Sequence, residues 1–296
     1  MGVGQVANPQ VRKAVIPIAG FGTRLLPATK VVRKEMLPVG TKPLIQHAVE
    51  EARSSRIEHI IFVCRPGDVS PLAHFQPNTE LDQLLRSRNR VKEAEQLAEI
   101  GAGLRFSVAW QPHPLGLADA IRSARAEVDG QPFGVILPDA LILGAQACLE
   151  QLIRCFMRHG TPVVATRPVA PDETRRYGIL DIDRSWTDPD NAAVRARGLV
   201  EKPDPERAPS LYGVYGRYVL PATIFEFIDR TPPDKSGEIQ ITDALNLYCE
   251  SDPVYGAFFA GNHYDTGNWK GYAEATMACF ANELGIEQNS PLQSYH

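Results

Sequence analysis

The sequence predicts an α/β fold, with a Rossmann-like, mainly parallel but mixed sheet flanked by helices. Two observations carry this. Short β-branched runs alternate with longer amphipathic stretches through the first half of the chain, the pattern that lays helices on the faces of a parallel sheet. The first and fourth of these runs also lead directly into a glycine-rich loop and an aspartate. Open α/β sheets keep their ligands at such carboxyl ends of strands.

Taken in order, residues 14–18 read as a first buried strand. Residues 43–53 read as a helix, with Leu44, Ile45, Ala48, Val49 and Ala52 at helical spacing. A second strand is expected at 60–63, a helix at 91–100, a third strand at 106–110 and a helix at 118–128. A fourth strand follows at 133–137 and a helix at 149–158. The second half is less regular. Strands are expected at 163–166, 178–181, 198–200 and 215–220, and helices at 222–228 and 242–250. Residues 203–209 form a polar, proline-rich loop. The polar stretch 285–296 is expected to fray.

The bulk properties narrow the class. A chain of 296 residues supports one core, or one core and a small appendage. Its 44% hydrophobic and 22% charged residues are those of an ordinary globular protein. A formal net charge of −4 argues against a nucleic-acid partner. No run of about 18 apolar residues suggests a membrane span, and residues 1–10 lack a signal-peptide core. Cys64, Cys148, Cys155, Cys249 and Cys279 form no C-x-x-C pair, so reduced, mostly buried thiols in a cytoplasmic protein are expected. His113, His159 and His263 have no metal-cluster spacing and are expected to be solvated or core histidines.

Gly20-Phe21-Gly22-Thr23-Arg24 follows the first strand immediately. Glycines permit close backbone approach, and amides in such a loop can make an anion-binding concavity. Arg24, Lys30 and Lys34 add positive charge. The order of a Walker loop is missing, and Leu25 stands where a dinucleotide fingerprint has its third glycine. On its own this G-x-G fits a plain turn equally well.

The longer string is more specific. Gly20-x-Gly22-Thr23-Arg24-Leu25-x-Pro27-x-Thr29-Lys30, then Lys34-Glu35-Met36-Leu37-Pro38, then Lys42-Pro43-Leu44-Ile45, resembles the signature of the sugar nucleotidyltransferase superfamily. The Lys34 to Pro38 form is similar to its bacterial UTP–glucose-1-phosphate uridylyltransferase branch. Further segments that resemble the family follow in order as far as Tyr272: Gln111 to Leu117, Leu137-Pro138-Asp139, Tyr177-Gly178, Glu201-Lys202-Pro203, Tyr215 to Tyr218, Gly237 to Asp243 and His263 to Asn268.

The resemblance implies a nucleotide-diphospho-sugar transferase type of fold. It implies a single domain over 11–284, with a nucleotide-binding part at about 11–150, a sugar-phosphate-binding part at about 160–284, and tails at 1–10 and 285–296. It also implies roles. Ala19, Gly20, Gly22 and Thr23 wrap the nucleotide, and Arg24 and Lys34 contact its phosphates. Gln111 and Gly116 read the pyrimidine edge. Gly178, Glu201 and Lys202 hold the sugar phosphate. Asp139 and Asp265 hold Mg²⁺. Arg24, Lys34, Asp139, Lys202 and Asp265 form the catalytic set.

The residue chemistry agrees. Several cations offset a triphosphate, and arginine matches phosphate geometry. A glutamine can donate to a base carbonyl and accept from a ring N–H. Mg²⁺ is held by one or two carboxylates with phosphate oxygens and water. The implied partners are UTP and glucose 1-phosphate, the products UDP-glucose and pyrophosphate, and the assembly a homodimer or homotetramer.

One segment departs from the pattern. Where the branch usually has Gly-Leu-Gly-His-Ala, this chain has Gly116-Leu117-Ala118-Asp119-Ala120, and thymidylyltransferases carry Gly-Leu-Ala there. A dTTP-using enzyme, or one with another sugar 1-phosphate specificity, therefore stays open. So does a weakly active sugar-nucleotide-binding regulatory paralogue, which the full catalytic set disfavours.

Overall fold

The computed structural model describes residues 10–284. Its strands are β1 (Lys13–Pro17), β2 (Pro38–Val39), β3 (Lys42–Pro43), β4 (His59–Cys64), β5 (Arg105–Trp110), β6 (Phe133–Ile136) and β7 (Ala140–Leu143), then β8 (Val163–Pro168), β9 (Gly178–Ile182), β10 (Ala193–Glu201), β11 (Tyr212–Leu220), β12 (Val254–Phe258) and β13 (Asn262–Asp265). The helices are α1 (Leu44–Ser54), α2 (Ser70–Ala73), α3 (Thr79–Ser87), α4 (Val91–Ala98), α5 (Leu117–Ser123), α6 (Arg125–Val128), α7 (Cys148–His159), α8 (Ile224–Arg230), α9 (Ile241–Tyr248) and α10 (Trp269–Leu284).

Nine strands form one sheet in the order β5-β4-β1-β6-β11-β8-β12-β10-β9. The first four are parallel. From β11 onward the sheet is mixed: β11 runs antiparallel to β6 and β8, β12 parallel to β8, and β10 antiparallel to β12 and β9. The sheet is thus an α/β sheet as expected, with its parallel pairing concentrated in the N-terminal half.

The central strands are apolar on both faces because helices cover both. Side chains alternate across the sheet. Ile16, Ile60 and Phe62 pack with Ile45 and Val49 of α1 and Leu149 and Leu152 of α7. Their neighbours Val15, Ile61 and Val63 pack on the other face with Ile121 of α5, Ile224 of α8 and Leu245 of α9. The helix expected at 118–128 is interrupted at Ala124 (φ −87°, ψ 1°). At that break Arg125 donates to the Phe225 carbonyl (2.9 Å) and pairs with Asp229 (2.6 Å) across on α8.

The reversal at β11 positions the site. Its residues Arg217 to Leu220 lie beside Ile136 to Phe133, so the loop after β6 lies beside the middle of β11. Just beyond, β7 pairs with β13, matching Ala140 with Asp265. Cys64, Cys148, Cys155 and Cys279 are buried and all five thiols are free. Among the described residues no helix is long and apolar enough to cross a membrane. The stretch 285–296 lies outside the described residues.

Candidate active site

The loop after β1 has the form of an anion cradle. The carbonyls of Gly20 and Gly22 accept from Arg33 Nη1 (3.2 Å) and Thr29 Oγ1 (2.8 Å). The amides of Gly20, Phe21 and Gly22 meet no acceptor among the described residues. Gly22 is left-handed (φ 66°), and a Cβ there would lie 3.1 Å from Lys34 Cβ and 3.2 Å from Thr29 Cγ2. Only glycine fits both the conformation and the space. Ala19 is buried, while Gly20, Thr23 and Arg24 are exposed.

Asp139, the third residue beyond the end of β6 (Leu137 and Pro138 intervene), accepts from Lys34 Nζ at 2.7 Å. Burial alone would lower the Lys34 ammonium, but Asp139 and Glu35 outweigh it and hold its pKa above the usual lysine value. Burial would likewise raise Asp139, but Lys34 outweighs it and holds the carboxyl below its usual range. Both groups are therefore ionised at neutral pH. Glu35 has a different fate: it is fully buried, neither oxygen has a hydrogen-bond partner among the described residues, and burial pushes its pKa up to about 7.

Asp265 closes β13 and is brought to Asp139 by the β7–β13 pairing, reinforced by a bond from the Thr266 amide to the Asp139 carbonyl (2.8 Å). Its carboxylate accepts from Arg176 (2.9 Å), Asn268 (3.0 Å) and the Gly267 amide (3.1 Å). A Cβ on Gly267 would lie 2.7 Å from the Arg24 guanidinium and 3.0 Å from Asp265 Oδ1. The loop cation and the second aspartate therefore meet across that glycine.

A cleft of about 310 Å³ opens beside these groups, and Arg24, Asp139, Gly178, Glu201, Lys202 and Asp265 all line it. Gly178 and Glu201 are register partners on β9 and β10. Glu201 accepts from Thr242 Oγ1 of α9 (2.6 Å) and pairs with Lys202 Nζ (3.1 Å). Lys202 sits at φ 42°, a sparsely populated conformation for a side-chain-bearing residue and one that clusters at functional sites.

Gln111 and Gly116 stand outside this cleft, beyond β5. Gln111 is buried, and its Nε2 donates to the Gly116 carbonyl (3.2 Å) and to Asp119 Oδ2 (2.9 Å). The backbone on both sides of Gly116 is stitched to Ile239, by Ile239 N to Leu115 O (2.7 Å) and Ala118 N to Ile239 O (3.0 Å).

Residues 13–282 match the family described as nucleotidyl transferase. The chain belongs to the nucleotidyl transferase family. It is 38% identical to the UTP–glucose-1-phosphate uridylyltransferase of Pseudomonas aeruginosa over 274 residues, 92% of this chain and 97% of that relative. Its fold is similar to that of apo UDP-glucose pyrophosphorylase (TM-score 0.86, 34% identity, 92% of this chain and 99% of that one). It is similar as well to UDP-glucose pyrophosphorylase complexed with UDP-glucose (TM-score 0.80, 35% identity, 92% and 100%).

In this nucleotidyl transferase the structure brings Arg24, Lys34, Asp139, Gly178, Glu201, Lys202 and Asp265 together and leaves Gln111 and Gly116 on an adjoining flank. The sequence reading passed over several neighbours. Arg176 holds Asp265, and its only signal was its place directly before Tyr177-Gly178. His263, treated as a solvated or core residue, lines the cleft; burial pushes its pKa down to about 4, so it is neutral near pH 7. Arg217 is fully buried, forms a two-pronged pair with Glu51 (2.8 and 3.0 Å) and donates to the Leu137 carbonyl (3.0 Å), which fixes the loop carrying Asp139. A charged residue inside the apolar run 215–220 was the available signal.

Among the described residues there is no group of three or more His, Cys, Asp or Glu side chains able to hold a metal. Two carboxylates converging on one cleft are a hard-oxygen donor set that suits Mg²⁺ only when other oxygens, such as phosphates, complete the shell.

Proposed function

We propose that this nucleotidyl transferase makes UDP-glucose and pyrophosphate from UTP and glucose 1-phosphate. The observation that carries the reading is the convergence, in one cleft, of two aspartates from distant segments with Arg24 on one side and Glu201-Lys202 on the other. The uridylyltransferase and pyrophosphorylase names of its relatives support the choice of substrates.

In this reading a phosphate oxygen of glucose 1-phosphate attacks the α-phosphorus of UTP in line. A new P–O bond forms as the bond to the departing pyrophosphate breaks. The attacking oxygen is already anionic, so no general base is needed. The protein's work is to bring two anions together and stabilise charge as it moves. The free amides of the glycine loop, with Arg24 and Lys34, take the triphosphate. Lys202 takes the sugar phosphate, and Glu201, held by Thr242, accepts from sugar hydroxyls. Asp139 and Asp265 would hold Mg²⁺, which supplies Lewis-acid neutralisation of phosphate oxygens when bound. The division into a nucleotide part (about 11–150) and a sugar-phosphate part (about 160–284), a cytoplasmic setting and a homodimeric or homotetrameric assembly belong to the same proposal.

Pyrophosphate release measured across a panel of nucleotides and sugar 1-phosphates, with Mg²⁺ and with chelator, tests it. UTP with glucose 1-phosphate should give the highest kcat/KM, dTTP a lower one, and chelation should abolish turnover. A clear advantage for dTTP would move the assignment to the thymidylyltransferase class. The Ala118-Asp119 departure is the observation that favours that second reading. No pyrophosphate from any pair would leave a sugar-nucleotide-binding role.

A further inference from the structure

We infer that Asp119, anchored by Arg122, fixes the orientation of the Gln111 amide so that the site reads a base carrying a hydrogen at N3, selecting uracil over cytosine. This rests on the reading above, in which Gln111 faces the base.

The orientation of a glutamine amide follows from its hydrogen-bond partners. Both groups that Gln111 Nε2 meets are pure acceptors, the Gly116 carbonyl at 3.2 Å and the Asp119 carboxylate at 2.9 Å. An amide nitrogen has two hydrogens, and both are taken. The oxygen Oε1 meets no donor among the described residues, yet it is not sealed off from solvent. The outward atom of Gln111 can then only accept. Uracil and thymine present N3–H, a donor, whereas cytosine presents a bare N3, an acceptor. The same amide turned over would reverse the preference.

What prevents the turn is Asp119. It is itself buried, in the first turn of α5, and its other oxygen accepts from Arg122 Nη2 at 2.5 Å. Turning the amide would set Gln111 Oε1 against a carboxylate in a poorly solvated place, where unmatched polar groups cost most. The carbonyl of Gly116 adds a second constraint. Gly116 itself is fixed: it lies at φ 96°, and a Cβ there would fall 2.7 Å from the Ile239 carbonyl. Asp119 is thus a positioning residue, acting on the base through Gln111.

The test compares kcat/KM for UTP, dTTP and CTP with glucose 1-phosphate in the native protein and in Asp119→Asn, Asp119→Ala and Gln111→Ala. Asparagine has the same shape but one acceptor. The charge-assisted donor Arg122 takes that oxygen, the asparagine NH₂ faces Gln111, and the amide is driven to turn over. The UTP:CTP ratio should then fall about tenfold or more, the scale of one hydrogen bond reversed into a mismatch. Asp119→Ala, which merely frees the amide, should move the ratio the same way by less. The UTP:dTTP ratio should stay put in both, since those bases share the edge being read. A purely structural role would lower all three nucleotides together.

An unchanged UTP:CTP ratio in both Asp119 variants, with Gln111→Ala still weakening UTP, overturns the inference alone. If Gln111→Ala leaves the KM for UTP unchanged, the underlying placement of the base falls instead. Should neither Asp119 variant fold, the native protein decides: 3-methyl-UTP, which has no hydrogen at N3, must bind about tenfold more weakly than UTP, and equal binding overturns the inference.

Discussion

The surroundings of Asp139 and those of Asp265 and Glu201 present their charges differently. Around Asp139 the ion pairs are recessed. Lys34 and Asp139 are only 17% and 23% exposed, and Glu51 and Arg217 beneath them are 9% and 1% exposed. Around Asp265 and Glu201 the cations are open: Arg176 is 47% and Lys202 55% exposed. Shielding an ion pair from water deepens both its attraction and the penalty for breaking it. The Asp139 side of the cleft is therefore built as a fixed frame. The opposite side is built from cations that can let go of their carboxylates.

The largest effect should come from the frame. Arg217→Met strands Glu51 in the core and removes the donor to Leu137, so it should cost about 3–5 kcal/mol in denaturant unfolding. The matching change on the open side, Arg176→Met, should cost under about 1 kcal/mol. Equal costs would erase the distinction between the recessed and the open side.

Next in size is chemistry. Asp139→Asn should lower kcat on the order of 10²–10³-fold with circular dichroism unchanged. Full turnover in that variant would remove Asp139 from the catalytic set.

The smallest effect is a pH dependence confined to the recessed side. Glu35 is raised from an ordinary 4.5 to about 7. An acid raised in the folded state costs stability once its unfolded counterpart ionises. The unfolding free energy, and Tm with it, should therefore decline as pH climbs from about 4.5 towards 7 and level off above, the free energy by a few kcal/mol at most, and Glu35→Gln should flatten the slope. Lys34 and Asp139 contribute no such slope near neutrality. The raised Lys34 pKa contributes stability that is lost only as pH rises through that pKa, and the lowered Asp139 pKa contributes stability lost only as pH falls through it. A flat profile in the native protein would count against a Glu35 that is buried without a hydrogen bond.

The contrast also explains what could be read in advance. Strands β1, β5 and β6 lead straight into the segments that carry Gly20, Gln111 and Asp139, so these candidates could be placed at strand ends from sequence order alone. The C-terminal part of the chain hides its logic in long-range pairing. β13 is short and polar (Asn262 to Asp265), and only its pairing with β7 brings Asp265 to Asp139. α10 buries mainly small residues, Gly271, Ala275, Ala278 and Cys279, and shows little apolar periodicity to betray it. Lys34, Asp139, Lys202 and Asp265 could be named because ordered motifs resemble a family. Arg176, Thr242 and the Glu51–Arg217 pair lay outside those motifs or carried no stated role. Their function is to hold other residues, which is a property of contacts and leaves little trace along a single chain.

The two bonds that stitch Leu115 and Ala118 to Ile239 have a corollary for binding. Ile239 leads straight into α9, whose Thr242 holds Glu201. The loop that would meet the base and the carboxylate that would meet the sugar are therefore consecutive links of one tethered strip. If a ligand settled one end, the other would be restricted with it, and each substrate would then lower the ordering cost met by the one that follows. Reciprocity requires that the gain be the same whichever arrives first. An enzyme wired this way would be synergistic in its ligands even when its chemistry treats them as separate reactants.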